Sequence, residues 1–205
     1  MKDLSKLIDF GERQLVLASQ SPRRRQLLSF LGVDFKIIPA NIDESKIRLD
    51  IPPADYASSL AFEKAKHVAN ESSDKSIVIG ADTIVVYDGQ ILNKPRDEKE
   101  AQILLSELSN NTHEVYTGIS IIDNLTDKEI KTYQRTKVTF RRLDENEINA
   151  YIASGSPMDK AGAYGIQDDF GAFFVSHIDG CYYNIVGLPL ELLYSELKKI
   201  VGKND

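Results

Sequence analysis

The longest apolar stretch of the chain runs from Ile77 to Tyr87, and a single aspartate, Asp82, stands in the middle of it. β-Branched residues dominate the run, so Ser76 to Tyr87 reads as a strand with little exposure to water. A carboxylate inside such a strand cannot be buried unpaired without a cost of several kcal/mol. Gly80 and Ala81 leave space just before it, enough for a ligand or another stretch of backbone to approach. Two readings follow. Asp82 stands at a cleft as a base or metal ligand, or it is a turn aspartate between two strands that bonds its own backbone. The stretch is also far shorter than the roughly 18–20 residues of a membrane span, and the start Met1-Lys2-Asp3-Leu4-Ser5-Lys6 lacks the apolar core of a signal peptide.

Helix-like and strand-like segments alternate around this strand. Gln14 to Ala18 and Phe35 to Ile38 are short β-prone runs. Between them, Ser21-Pro22 has the form of an N-cap followed by the first helical residue, predicting a helix from Pro22 to about Leu31 that stops at Gly32. A second helix opens near Pro53 and carries Leu60, Ala61, Ala65 and Val68 on one face. Asp88-Gly89 signals a tight turn, and Asp97 to Glu100 has the form of a capping box before Ile103, Leu104, Leu105 and Leu108. Val115 to Ile122, Thr132 to Leu143 and Phe173 to Ile178 alternate like antiparallel strands. Asp144 and Glu147 start a further helix that ends at Gly155, and a last one follows Pro189. A mixed sheet interspersed with helices is α/β or α+β, and the alternation favours α/β.

Three arginines follow Ser21-Pro22. If Ser21 caps the helix, Arg23, Arg24 and Arg25 occupy its first turn, where the helix dipole favours anions by roughly 0.3–1 kcal/mol. Cations at that end call for a partner. A bound polyanion supplies one, because backbone N–H groups, the dipole and guanidinium forks then all attract phosphate. A solvated basic turn paired with acids elsewhere is the plainer alternative.

A loop from Asp159 to Gln167 (Asp159-Lys160-Ala161-Gly162-Ala163-Tyr164-Gly165-Ile166-Gln167) is rich in small residues. It suits close approach to a flat ligand, with Tyr164 stacking and Gln167 reading hydrogen-bonding edges, or it is a mobile surface loop. It fits neither the dinucleotide fingerprint nor the P-loop. Lys64 and Lys94 are unremarkable unless the fold brings them to the arginines. His67, His113 and His177 lack metal-ligand spacing and read as surface or hydrogen-bonded core histidines. No nucleophile-elbow pattern is present, and Cys181 reads as a small packing residue.

Composition removes several classes. With 205 residues, 42% of them hydrophobic and 27% charged, the chain is long enough for a sizeable core and unlike a disordered, collagenous or disulfide-stapled protein. The 31 acidic residues outnumber the 25 lysines and arginines, for a net charge of −6, which speaks against binding nucleic acid by overall charge. A single cysteine allows no internal disulfide and fits a reducing, cytoplasmic setting.

Taken together, Leu17-Ala18-Ser19-Gln20-Ser21-Pro22-Arg23-Arg24, Glu63-Lys64-Ala65, Gly80-Ala81-Asp82-Thr83, Lys94-Pro95, the Asp159–Gln167 loop and Val186-Gly187-Leu188-Pro189 resemble the Maf family of nucleoside triphosphate pyrophosphatases. The resemblance runs from about Leu15 to Leu197. It implies one catalytic domain over 14–202 after an extension of 1–13, with an elongated mixed sheet, flanking helices and two lobes around a central cleft, related to the inosine-triphosphate pyrophosphatases. It also implies roles. Asp82 would be the catalytic proton acceptor. Ser21, Arg24, Lys64, Lys94 and Lys160 would bind the substrate, and Arg23, Thr83 and Gln167 would select the base. Asp82 and Glu44 would hold a divalent metal cation, Mg²⁺ or Mn²⁺. The Ala-Tyr-Gly-Ile-Gln form is similar to the dTTP/UTP-hydrolysing subgroup, although Asp168-Asp169 stands where many members carry glycine. The implied partners are a nucleoside triphosphate and a second copy of the chain in a homodimer, without nucleic acid or membrane.

Two other readings stay open at this stage. One is a pyrophosphatase for modified or non-canonical nucleotides. The other is a non-catalytic nucleotide- or nucleic-acid-binding regulator of septum formation, in which a carboxylate beside the bound anion would have no use.

Overall fold

The computed structural model describes residues 7–44, 50–167 and 170–202; Asp168 and Asp169, and the first six residues of the expected extension, lie outside the described residues. The apolar run forms strand β3 (Ser76–Tyr87), twelve residues without a break, so Asp82 is a mid-strand residue and the turn reading is wrong. The ladder shows where along the strand the carboxylate stands. The first part of β3 pairs in parallel with β1 (Gln14–Leu17), from Gln14 opposite Ser76 to Leu17 opposite Ile79. Its last part pairs antiparallel with β4 (Gln90–Leu92), from Val85 opposite Leu92 to Tyr87 opposite Gln90. Asp82 falls between these two pairings, just past the carboxyl end of β1. The turn to β4 uses Asp88 and Gly89 at φ +48° and +73°, the left-handed pair that matches a two-residue hairpin.

Strand β2 (Phe35–Ile37) lies parallel to β1 on its other side. With β5 (Thr112–Asp123), β6 (Lys128–Phe140) and β7 (Val175–Asp179), the seven-stranded sheet has the order β2-β1-β3-β5-β6-β7, with β4 on β3. Parallel and antiparallel neighbours coexist, and helices separate the strands, so the mixed α/β expectation holds.

The chain divides into two compact units, and β3, β5 and β6 run from one into the other. Met1–Asp82, Thr117–Gln134 and Gly187–Asp205 make up the first. It holds helices α1 (Pro22–Ser29) and α2 (Pro53–Glu71). Helix α1 stops two residues short of the expected Leu31, because Phe30, Leu31 and Gly32 tighten into i−3 bonds and Gly32 takes φ +67°. Ala65, Val68 and Ala69 of α2 pack on Val16, Val78 and Ile122 of the sheet. The approach is backbone-close: a Cβ on Gly80 would lie 2.1 Å from the Ala61 carbonyl oxygen, and one on Gly118 2.2 Å from that of Ala57. The space beside Asp82 is thus filled by a helix. Part of the expected extension is built in as well, since Ile8 is buried and Arg13 Nε donates to both carboxylate oxygens of Asp123 at 3.1 Å.

The second unit comprises Thr83–Tyr116 and Arg135–Val186. Here α3 (Glu98–Leu108) packs on α4 (Glu145–Ala153) and on two single-turn 3₁₀ segments, Ser156–Asp159 and Ala161–Ala163. Asp144 and Glu147 form a full capping box. At α3 only half of the expected box forms: Asp97 accepts from the Glu100 N–H, but the Glu100 carboxylate turns to the backbone and side chain of Arg96. A short α5 (Tyr182–Val186) closes this unit, and α6 (Leu190–Val201) follows Pro189 in the first.

Candidate active site

In the first unit, Ser21 caps α1 as expected: its Oγ accepts from the Arg24 N–H at 3.4 Å, and Pro22, Arg23, Arg24 and Arg25 fill the first turn. Arg24 is held by the fold through its guanidinium. Its Nε donates to the Gly187 carbonyl at 2.9 Å, and Nη1 lies 3.4 Å from the Ser19 Oγ. Burial lowers its pKa, and the Asp82 carboxylate works in the opposite direction, which sets these two charges in one local field. Arg25 points to solvent.

Asp82 is not an unpaired buried charge. Lys64 of α2, directly over β3, donates from Nζ to Asp82 Oδ1 at 2.6 Å, and the same ammonium stands 2.8 Å from Glu44 Oε1. The Asp82 and Lys64 side chains are 12% and 14% exposed whereas Glu44 is 54% exposed, so the trio runs from the interior to the surface. The Gly80 contact seats Lys64 here, because the helix turn resting on that glycine, Ala61 to Ala65, includes it. Four expected residues, Ser21, Arg24, Lys64 and Asp82, therefore share one unit with Glu44 and Arg23.

Two oxygen donors meeting at one cation set the terms for a metal. Among the described residues no group of three or more His, Cys, Asp or Glu could hold an ion unaided. Asp82 and Glu44, here both paired to Lys64, are the carboxylates that could offer oxygen ligands to a hard divalent cation, whose remaining ligands would have to be phosphate oxygens and water.

Thr83, Lys94, Lys160 and Gln167 belong to the second unit. Lys94 and Gln167 are exposed. The loops that carry Lys94 and Lys160 are joined, since the Gly162 N–H donates to the Asn93 carbonyl at 3.2 Å. The Lys160 side chain is only 7% exposed, and its ammonium is held by the Ser156 carbonyl and, at 2.6 Å, by Asp159 Oδ1. Tyr164 corrects the sequence reading. At 5% exposure, with its hydroxyl 2.7 Å from His113 Nε2, it is a core residue and cannot stack on a base.

Three contributors were given no role of their own by the sequence. Ser19 and the Gly187 carbonyl hold Arg24, and nothing local marks a carbonyl as an arginine ligand. Tyr56 lies two helical turns before Lys64, and its phenol is pushed up by burial and then by the negative charge of Asp82 and Glu44. A helix position preceding Lys64 was its only signal.

Residues 14–200 match the family of Maf-like proteins. A dTTP/UTP pyrophosphatase of Bacillus cereus is 52% identical over 187 residues, covering 91% of this chain and 95% of the relative. A dTTP/UTP pyrophosphatase of Bacillus thuringiensis subsp. konkukian is 52% identical over the same share of each chain. Among solved structures, a HAM1 protein from Coxiella burnetii aligns with a TM-score of 0.48 and 16% identity, over 91% of this chain and 99% of that one. A family match across nearly the whole chain, with relatives above half identity, establishes that this chain belongs to the Maf family.

Proposed function

We propose that the chain hydrolyses dTTP and UTP between the α- and β-phosphates, releasing the monophosphate and pyrophosphate. The observation that carries the reading is the Asp82–Lys64–Glu44 trio beside the immobilised Arg24 at a helix N-terminus. Cationic groups and N–H donors there suit a polyphosphate, and the carboxylates suit hydrolysis and not mere anion binding. The names of the relatives support the choice of dTTP and UTP.

Asp82 orients a water for in-line attack on the α-phosphorus and accepts its proton as the new oxygen–phosphorus bond forms. The bond from the α-phosphorus to the bridging oxygen breaks, and the electron pair leaves with pyrophosphate. An ordinary aspartate, with a pKa of about 3.9, is a weak base at pH 7. A divalent cation held by Asp82 and Glu44 would supply charge neutralisation and acidification of water. Arg24 and Lys64 stabilise charge that builds on the leaving group, and Ser21, Lys94 and Lys160 keep the substrate-binding roles that the family resemblance implies. Arg23, Thr83 and Gln167 select the base.

The test is a panel of canonical and modified nucleoside triphosphates with Mg²⁺ or Mn²⁺, scoring pyrophosphate and phosphate separately. Pyrophosphate chiefly from dTTP and UTP, abolished by EDTA, is the expected result. Release chiefly from a modified purine would overturn the base assignment. A folded protein that turns over no triphosphate would overturn the enzyme reading in favour of a binding module.

A further inference from the structure

The Asp159–Gln167 loop is fastened at successive residues, all within the second unit. Gly162 takes φ +66°, where its missing side chain lets it lie against Val85; a Cβ there would stand 2.9 Å from Val85 Cγ1. Ala163 keeps a left-handed φ of +60°, rare for a residue with a side chain. The Gly165 N–H donates to the Tyr151 hydroxyl at 3.2 Å, and Gly165 faces Gly171 so closely that a Cβ on the latter would lie 2.2 Å from the Gly165 carbonyl. Ile166 is buried, and Gln167 is the first exposed residue after this sequence of anchors.

Among these anchors the His113–Tyr164 pair is the unusual one. His113 is 1% exposed and lies edge-on to Phe140 and Tyr164, with ring centroids 5.0 and 5.2 Å away. Its Nε2 meets the Tyr164 hydroxyl, whereas Nδ1 is buried with no hydrogen-bond partner among the described residues. An orphaned buried nitrogen destabilises a fold, and two phenylalanines would fill the same aromatic cluster without it. Packing alone does not account for the pair. What it adds is direction: a bond of fixed length that sets the height and rotation of Tyr164, three residues before Gln167.

We propose that His113 and Tyr164 are positioning residues for base selection, fixing where the loop presents Gln167; this rests on the reading of Gln167 as a base-selecting side chain. Neither residue touches the substrate. Without the bond, Tyr164 is held by packing and the flanking anchors alone, and Gln167 loses the register needed to tell a uracil edge from a cytosine edge. A site that specifies by hydrogen bonding discriminates strongly only while its donors and acceptors are held in place.

The experiment compares wild type, Tyr164→Phe and the double variant His113→Phe/Tyr164→Phe, measuring kcat and KM for UTP and CTP alongside thermal melts. The expected result is a loss of about tenfold or more in UTP-over-CTP discrimination in both variants, mainly through KM for UTP. The double variant should melt at or above the temperature of the single one, because it no longer buries an orphaned imidazole. Wild-type discrimination in either folded variant would overturn the proposal. So would unfolding of both variants, which would make the pair a structural element of the core. If wild type itself fails to prefer UTP, the base assignment falls first, and that result is visible before any variant is made.

Discussion

Acid should unfold this protein partly through one histidine. Burial holds the His113 imidazole neutral and pushes its pKa from the ordinary 6.5 down to about 4. In the unfolded chain the ring binds a proton near its ordinary value, so between those two pH values the unfolded state carries more protons. Stability from this group is therefore complete above about pH 6.5 and drains away as the pH falls to about 4. At about 1.4 kcal/mol per unit, the loss across that window comes to about 3 kcal/mol. Carboxylates titrate in the lower part of the same range, so the contribution must be isolated. The double variant His113→Phe/Tyr164→Phe removes the titrating ring and its partner together, and denaturant unfolding of both proteins at half-unit steps from pH 7.5 to 4 reads the difference. Wild type should lose about 3 kcal/mol more than the variant over that interval. Parallel curves would mean that His113 titrates normally, and the account of a dry, half-satisfied imidazole would be wrong.

Other expectations are independent of that ring. Gly80→Ala would drive a methyl group into the Ala61 carbonyl and the Ala65 backbone, so α2 must retreat and carry Lys64 off Asp82. A destabilisation of about 1–3 kcal/mol and a fall in turnover of about a hundredfold should be seen by denaturation and pyrophosphate assay. Arg13→Met strips the charge partner from Asp123, which is fully buried, and should cost about 3 kcal/mol in denaturant unfolding although it lies in the expected extension. Asp144→Ala removes the cap of α4 and should cost about 1 kcal/mol by the same measurement.

The features legible in the sequence are those whose causes are local. Ser21-Pro22 marked the start of α1 because a cap and its first turn are neighbours, and Asp88-Gly89 marked its hairpin for the same reason. The half-formed box at Asp97 shows the limit of local reading, since the competing donor Arg96 sits just outside the motif. Asp82 announced that it needed a partner but not which one; Lys64 is 18 residues away, and only the contact of α2 with Gly80 brings them together. The Gly187 carbonyl stands 163 residues from Arg24 and carries no side-chain signature at all. Tyr164 misled because a loop of small residues reads as open, whereas here the small residues let the loop sink against Val85 and bury the ring.

Hydrolysis of UTP in ¹⁸O-labelled water tests the central assignment most directly, run on wild type and on Asp82→Asn, a near-isosteric change beside Lys64. Wild type should place label in the uridine monophosphate and none in the pyrophosphate, with turnover lost in a variant that still melts cooperatively. Label in the pyrophosphate, or a folded Asp82→Asn that turns over at the wild-type rate, would contradict it.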